Sequence, residues 1–207
     1  MNMIREASVG VTLALLVASG VAAQERVLTL DPARSAVHFT LGATLHTVHG
    51  TFKVSRGEVR FGGVPGTVSG EVVVDATSGE TGNGSRDEKM HEDVLASGRF
   101  PQIVLVPTRS EGEAPTGDRW QLTLEGTFRI CGAEHPVKVP VEVEVTGGEA
   151  LVRATFVVPY TAWGLKDPSA FVLRVDKEVT VEVEARGTLS ATPATAASVG
   201  AIAGESP

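Results

Sequence analysis

Apolar and polar side chains alternate with period two along most of the chain, the pattern of half-buried antiparallel strands. Val137, Val139, Val141, Val143 and Val145 fall on one face, and Lys138, Pro140, Glu142 and Glu144 on the other. Val179, Val181, Val183 and Ala185 repeat the pattern against Thr180, Glu182, Glu184 and Arg186. Leu122, Leu124, Gly126, Phe128 and Ile130 form a third such face. Shorter runs at 36–41, 51–54, 58–61, 69–74, 103–106 and 150–158 also read as strands. Turn signals separate the runs: Gly62-Gly63, Pro65-Gly66, Thr116-Gly117-Asp118 and Gly147-Gly148. About eight strands at this spacing predict an all-β sandwich or a closed up-and-down barrel.

One segment has helical spacing instead. Ser85 with Glu88 three residues later fits a capping box, and Asp87 and Glu88 suit the positive end of a helix dipole. Met90, Val94 and, less squarely, His91 and Leu95 form an apolar stripe, and Gly98 and Pro101 mark a stop. A helix of about three turns is predicted over 86–97. It either plugs or lids the barrel or packs outside it as a crossover. A second short helix is predicted at 43–48.

The ends of the chain read differently from its middle. Arg5 precedes an apolar run from Val9 to Val21, and Val21-Ala22-Ala23 has the small-residue pattern of a cleavage site. Residues 1–23 are therefore predicted to be a signal peptide, with an uncleaved anchor as the rival reading. Residues 190–207 are rich in Ala, Ser, Thr, Gly and Pro with one charged side chain, Glu205, and read as a disordered tail. The folded domain is placed at 24–189, in the periplasm or outside the cell.

Composition narrows the function. The chain has 207 residues and a net charge of −7, which argues against nucleic acid and anionic lipid surfaces as partners. A single cysteine, Cys131, allows no internal disulfide and no thiolate zinc site; its place at the end of an apolar strand reads as buried and inert.

Few motifs carry chemistry. His46 and His49 would share one face of a helix, and with His91 could converge on a metal; the competing reading has the imidazoles bonded to backbone. His38 sits on a polar strand face, and His135 precedes Pro136 in a predicted turn. His91-Glu92 opens like a zinc-protease motif, but Leu95 stands where the second histidine belongs. Arg86 follows the turn Gly82-Asn83-Gly84-Ser85, where it either reaches back to loop carbonyls or meets a polar ligand head. The stretch from Phe156 to Gly164, with Tyr160 and Trp163, is the densest aromatic cluster; it is either core or the lining of a pocket.

The ordered elements together resemble the YceI-like family of secreted lipid- and polyisoprenoid-binding proteins. They are Leu30-Asp31-Pro32 through Val37-His38-Phe39, Val48-His49-Gly50-Thr51-Phe52, Thr81-Gly82-Asn83 with Arg86-Asp87, Phe100-Pro101-Gln102-Ile103, Gly126 to Gly132, and Pro159-Tyr160 to Trp163-Gly164. The chain departs from the family pattern at Cys131 and at Asp167-Pro168-Ser169. The resemblance implies an antiparallel eight-stranded lipocalin-like barrel with one or two short helices. It also implies a long cavity for an isoprenoid or lipid chain, a periplasmic location and no catalysis.

On this reading the protein binds a long apolar isoprenoid, lipid or quinone-like ligand, for transport or storage, with no cofactor and no catalytic residue. Phe39, Leu45, Phe52, Leu95, Phe100, Phe156, Trp163 and Phe171 are the inward candidates, and His49, Arg86 and His91 the candidates for a polar head. No membrane anchor is expected after signal cleavage, and a homodimer is left open. Two rivals stand beside it: a secreted metal-dependent enzyme using His46, His49 and His91, and a ligand-free structural or interaction barrel.

Overall fold

The computed structural model describes residues 23–44, 46–64, 66–112, 117–169 and 174–191. Residues 1–22 of the predicted signal peptide and most of the predicted tail lie outside them, as do Leu45 and Phe171; Ala23 opens the first strand, and Ser190 and Ala191 belong to the last. Eight strands pair in sequence order and close on themselves: β1 Ala23–Leu41, β2 Val48–Gly63, β3 Val68–Glu80, β4 Gln102–Gly112, β5 Arg119–Ile130, β6 Ala133–Thr146, β7 Glu149–Val158 and β8 Val179–Ala191. All neighbours are antiparallel, and β8 pairs β1 from Arg26↔Ala191 to Thr40↔Thr180. Of the two architectures the alternation allows, the structure is the barrel. Closure gives every strand a neighbour on each side, with the β3–β4 seam the shortest, from Val72↔Leu105 to Asp75↔Gln102.

Several runs that read as separate strands are parts of long bent ones. β1 loses register with β8 between Asp31 and Ala36 and with β2 between Thr29 and Ala36. Pro32 has no N–H to give a ladder, and Asp31 folds the chain locally: its carboxylate accepts from the Ala33 amide (3.0 Å) and its carbonyl from the Ser35 hydroxyl (2.7 Å). A bulge of this kind sharpens strand twist and lets 19 residues wrap the barrel. A bidentate Arg34–Glu149 pair (2.6 and 3.2 Å) ties the bulge to β7. In β2 the register shifts again between Val54 and Arg56, which had split that strand into two apparent runs.

The helical segment differs from expectation in its start and its length. The helix α1 spans Gly84–Lys89, followed by one π-helical turn, Met90–Val94. Its N-cap is Asn83, whose side chain accepts from the Arg86 amide at 3.1 Å; Ser85 already lies inside the helix. The expected helix at 43–48 is absent among the described residues. Ala43 instead bridges Val175, and the Thr44 amide donates to Arg174 O (2.9 Å), so this connection is pulled extended against the β7–β8 loop.

The strand order fixes two distinct ends. The 81–101 segment, the 42–47 connection, the Cys131-Gly132 turn and the 159–178 loop share one, here the helix end. The connections at 62–67, 113–118 and 147–148 share the other, the far end.

Close strand approach depends on Gly126 and Gly187. A β-carbon on Gly126 would collide with Val106 O and Pro107 Cα, and one on Gly187 with Thr29 O and Leu30 Cα. Backbone cannot yield as a side-chain tip can. Gly126→Ala and Gly187→Ala are each expected to destabilise the barrel by about 1–3 kcal/mol, read as a lower urea midpoint with the slope unchanged.

Candidate functional site

The inner faces of the strands do not meet. They enclose a cavity of about 900 Å³ that is lined from one end of the barrel to the other. Val139, Val141, Val143, Val152, Val181 and Val183 line its waist. At the far end it reaches Phe61 and Trp120, whose rings meet edge to face at 5.4 Å. Trp120 is anchored by donating Nε1–H to Gly117 O (2.9 Å). At the helix end Met90, Val94 and Leu95 line it, so the helical segment closes this end of the barrel and is not an external crossover.

The aromatic and aliphatic candidates separate into two groups. Phe39, Phe52, Leu95 and Phe156 line the cavity, with Phe39 and Phe52 5.4 Å apart. Phe100 does not: it covers Gly132 and carries the Arg99 guanidinium 4.9 Å above its ring. Trp163 lies outside the lining as well, stacked on His135 at 4.4 Å and packed on Phe128 at 5.6 Å. His135 itself is in β6, not a turn, and its Nε2 is buried without a partner among the described residues. Leu45 and Phe171 fall outside the described residues.

The polar candidates separate too. Arg86 lines the cavity and also reaches back to its loop: Nε donates to Thr81 Oγ1 (2.7 Å) and Nη2 to Thr81 O (3.0 Å). Thr81 in turn donates its amide to Asp87 Oδ1 at 2.9 Å and its hydroxyl to the same oxygen. Arg86 thus makes the expected contact to its own loop while bordering the cavity. His91 does not line the cavity. Its Nε2–H donates to Gly79 O (2.8 Å), and its Nδ1 accepts the Ser97 hydroxyl (2.9 Å). Nε2 ties the π-helical turn to β3, and Nδ1 ties it to Ser97 just beyond the turn. His49 shares a hydrogen bond with Thr40 at 3.1 Å on the outer face. His46 alone of the three lines the cavity, so they do not converge. Among the described residues no three His, Cys, Asp or Glu side chains are grouped to hold a metal.

Cys131 is half-buried, in a left-handed conformation (φ 52°) at the β5–β6 turn. Its Sγ lies 3.2 Å from Leu95 O, and burial raises its pKa. The thiol is thereby kept protonated against the end of the helical segment. The exposed Asp167 carboxyl is held down to about 2, chiefly by hydrogen bonds from Lys177 and Ser169. These bonds link Asp167 to Ser169 and to Lys177.

Sequence reasoning passed over most of the lining. Phe61, Lys89, Trp120 and Leu165 border the cavity without having been singled out, whereas Met90 and Tyr160, also in the lining, belong to the apolar stripe and the aromatic cluster read from the sequence. The inward valines were visible as parity, but parity does not distinguish a filled core from a tube.

A sequence profile for the YceI-like domain matches residues 28–186. Comparison with curated proteins finds no match. Among solved structures, the chain is similar to BcnA of Burkholderia cenocepacia, with a TM-score of 0.63 and 20% identity over 77% of this chain and 99% of that one. It is also similar to a polyisoprenoid-binding domain from Saccharophagus degradans implicated in plant cell wall breakdown, with a TM-score of 0.61 and 14% identity over 79% and 98%. At these identities the likeness concerns the fold.

Tyr160, the chain's single tyrosine, reports on the loop that closes the helix end. Its hydroxyl donates to Asp176 O at 2.7 Å, and burial, helped by Asp167 and Asp176, pushes its pKa up to about 12. A phenol protonated more tightly in the folded state stabilises the fold fully below its unfolded pKa of about 10, and that share is lost as pH rises toward 12. Absorbance at the phenolate band is expected to show one inflection about two units above that of the urea-unfolded chain.

Proposed function

The chain belongs to the YceI-like domain family, and from that premise we propose that it is a binding protein holding one long apolar ligand along its barrel, and not an enzyme. The observation that carries this is the end-to-end cavity with an almost wholly apolar wall. Atoms packed as in a liquid occupy about 30 Å³ each, so 900 Å³ suits a chain of roughly thirty heavy atoms. Each buried methylene contributes up to about 0.8 kcal/mol before the costs of ordering. Such a chain needs few polar contacts to bind tightly. An isoprenoid is the ligand class we favour, supported by the description of the Saccharophagus degradans relative as polyisoprenoid-binding. A ligand-free structural barrel is disfavoured because its interior would have to be filled by its own side chains.

We place the protein outside the cytoplasmic membrane, as periplasmic or secreted, on the strength of the Arg5, Val9–Val21 and Val21-Ala22-Ala23 pattern. Transport and storage both follow from holding such a ligand, and differ in how fast it exchanges between vesicles.

Native mass spectrometry of protein purified from its own host, followed by organic extraction, tests the reading. The expected species starts at Gln24 and carries an adduct of several hundred daltons that extracts as an isoprenoid. A bare mass that stays unchanged after incubation with polyprenols would overturn it. Two further outcomes are expected. A free polyprenol at a hundred times its Kd should stabilise the folded state by about 2.7 kcal/mol, seen as a raised Tm. Val141→Trp, which puts an indole into the waist, should weaken uptake at least tenfold while the far-ultraviolet circular dichroism stays that of a β-barrel.

A further inference from the structure

One stretch of the barrel wall is not laced by a ladder. β7 pairs β6 only from Thr146↔Glu149 to Val141↔Ala154. Nearer the helix end, residues 133–140 of β6 and 155–158 of β7 have no partners in each other, although each keeps its other neighbour, β5 or β8. Pro136 and Pro140 account for the break. Neither has an N–H, and the β5–β6 ladder runs past both without a shift, so the missing donors fall on the β7 side. The β3–β4 seam is shorter, but it is fastened beyond both its ends, by the Thr67↔Arg109 bridge and by the Ala76 amide donating to Pro101 O at 3.0 Å. The open stretch of β6 and β7 has no such fastening among the described residues. An aromatic stack covers it instead. Trp163 lies flat on His135, with ring planes 4° and centroids 4.4 Å apart, and Phe128 touches both Trp163 (5.6 Å) and Phe156 (6.1 Å). The turn that carries Trp163 keeps its hydrogen bonds on its own side: the Trp163 amide donates to Pro159 O (3.0 Å), the Leu165 amide to Tyr160 O (3.0 Å) and the Thr161 hydroxyl to Lys177 O (3.1 Å). Among the described residues none reaches β5 or β6.

We propose that this stretch is a lateral gate: the turn from Pro159 to Gly164 lifts Trp163 off His135, and a long apolar ligand passes between β6 and β7 without a rung of any ladder breaking. This rests on the reading of the barrel as the site of such a ligand and adds the route by which it enters and leaves. Val139 on one side of the stretch and Phe156 and Val158 on the other line the cavity, so the half-buried Trp163 stands between it and solvent. Outside, Val157 is 50% exposed, and Pro136 and Pro140 are exposed beside it, an apolar lip on an otherwise charged surface. The latch is held weakly. His135 Nε2 is buried there without a partner, and a dry, unpaired nitrogen costs free energy that hydration removes when the stack lifts. Gly164, in the left-handed region (φ 87°), ends the turn at a position where the backbone can swing.

A gate residue changes the rates of entry and exit together and leaves the equilibrium alone, whereas a wall residue changes affinity, mostly through exit. The test is stopped-flow binding of cis-parinaric acid, a long polyene chain that fluoresces on leaving water, to the full mature chain. Trp163→Ala removes one aromatic stack and is expected to raise both rates about tenfold, with Kd unchanged to within about twofold. His135→Phe keeps the stack and removes the unpaired nitrogen, and should slow both rates about threefold or more at the same Kd. Phe100→Ala removes a ring outside the lining at the same end of the barrel and should leave both rates in place. Unchanged rates in Trp163→Ala and His135→Phe would overturn the gate while leaving the apolar-ligand reading intact. So would an equal acceleration in Phe100→Ala, which would mean general loosening, or a change in Kd alone, which would make Trp163 part of the wall. If Trp163→Ala does not fold, His135→Phe decides by itself. If the unaltered chain takes up no probe, the apolar-ligand reading falls, and the gate with it.

Discussion

Closure of the sheet between β1 and β8 is the constraint on which the rest of the molecule depends. Once the rungs from Arg26↔Ala191 to Thr40↔Thr180 form, no strand can move without breaking ladders on both sides, and the diameter of the tube is set. The wall residues cannot then collapse inward to close the gap. Most of the waist is valine, whose side chain is short and stiff at χ1. Eight rows of short side chains around a ring of fixed width leave the middle open. The cavity is thus a consequence of residue size and strand number together, and neither alone would produce it.

The outer face obeys a different rule. Arg56 pairs Glu71 across β2 and β3 at 2.7 Å, Arg119 pairs Glu144 across β5 and β6 at 2.8 Å, and Lys138 bridges Glu125 and Glu111. All these groups are partly or largely exposed, where solvent screening leaves a single pair little to add to stability. Their greater effect is on register. Opposite charges on directly facing positions, as in Arg119↔Glu144 and Glu125↔Lys138, favour one alignment, and a slip of one residue would turn the valines outward and the charges into the tube. Inside and outside faces therefore specify the same pairing from opposite chemistries.

The alternation at 137–145 and 179–185 located β6 and β8 because nothing competes with it there. The bulges hid the length of β1 and β2: at Asp31 to Ser35 the period breaks, and a broken period looks like a strand end. The capping box expected at Ser85 with Glu88 does not form: Asn83 caps the helix two residues earlier by accepting from the Arg86 amide, and Ser85 lies inside the helix. The helix expected at 43–48 lost to long-range pairing with Arg174 and Val175, which no local pattern contains. For the site, aromatics drew attention through size. Phe39, Phe52 and Phe156 sit mid-strand on inward positions, whereas Phe100 and Trp163 sit in connections and pack against Gly132 and His135. Position along the strand decided the outcome, and residue type did not.

An apolar tube discriminates weakly among ligands by its walls. Every methylene added to a bound chain contributes a similar increment, so the waist selects for length and girth and for little else. Selectivity has to come from the places where polar groups meet the cavity, and these lie only at its ends. The far end offers Arg26, stacked 5.9 Å over Trp120, and Glu111, already paired with Lys138. The helix end is built with more precision. Asn83 caps α1, Asp87 and Thr81 fix Arg86, and His91 and Cys131 hold the π-helical turn to β3 and to the β5–β6 turn. Single π-helical turns recur at functional sites because the extra residue re-aims side chains on either side of it. Here it lets Met90, Val94 and Leu95 all face the cavity, a width of apolar surface that a regular helix of this length would present less fully. Asn83, Asp87, His91 and Cys131, which hold this cap, stay out of the lining, whereas Thr81 and Arg86 are part of it.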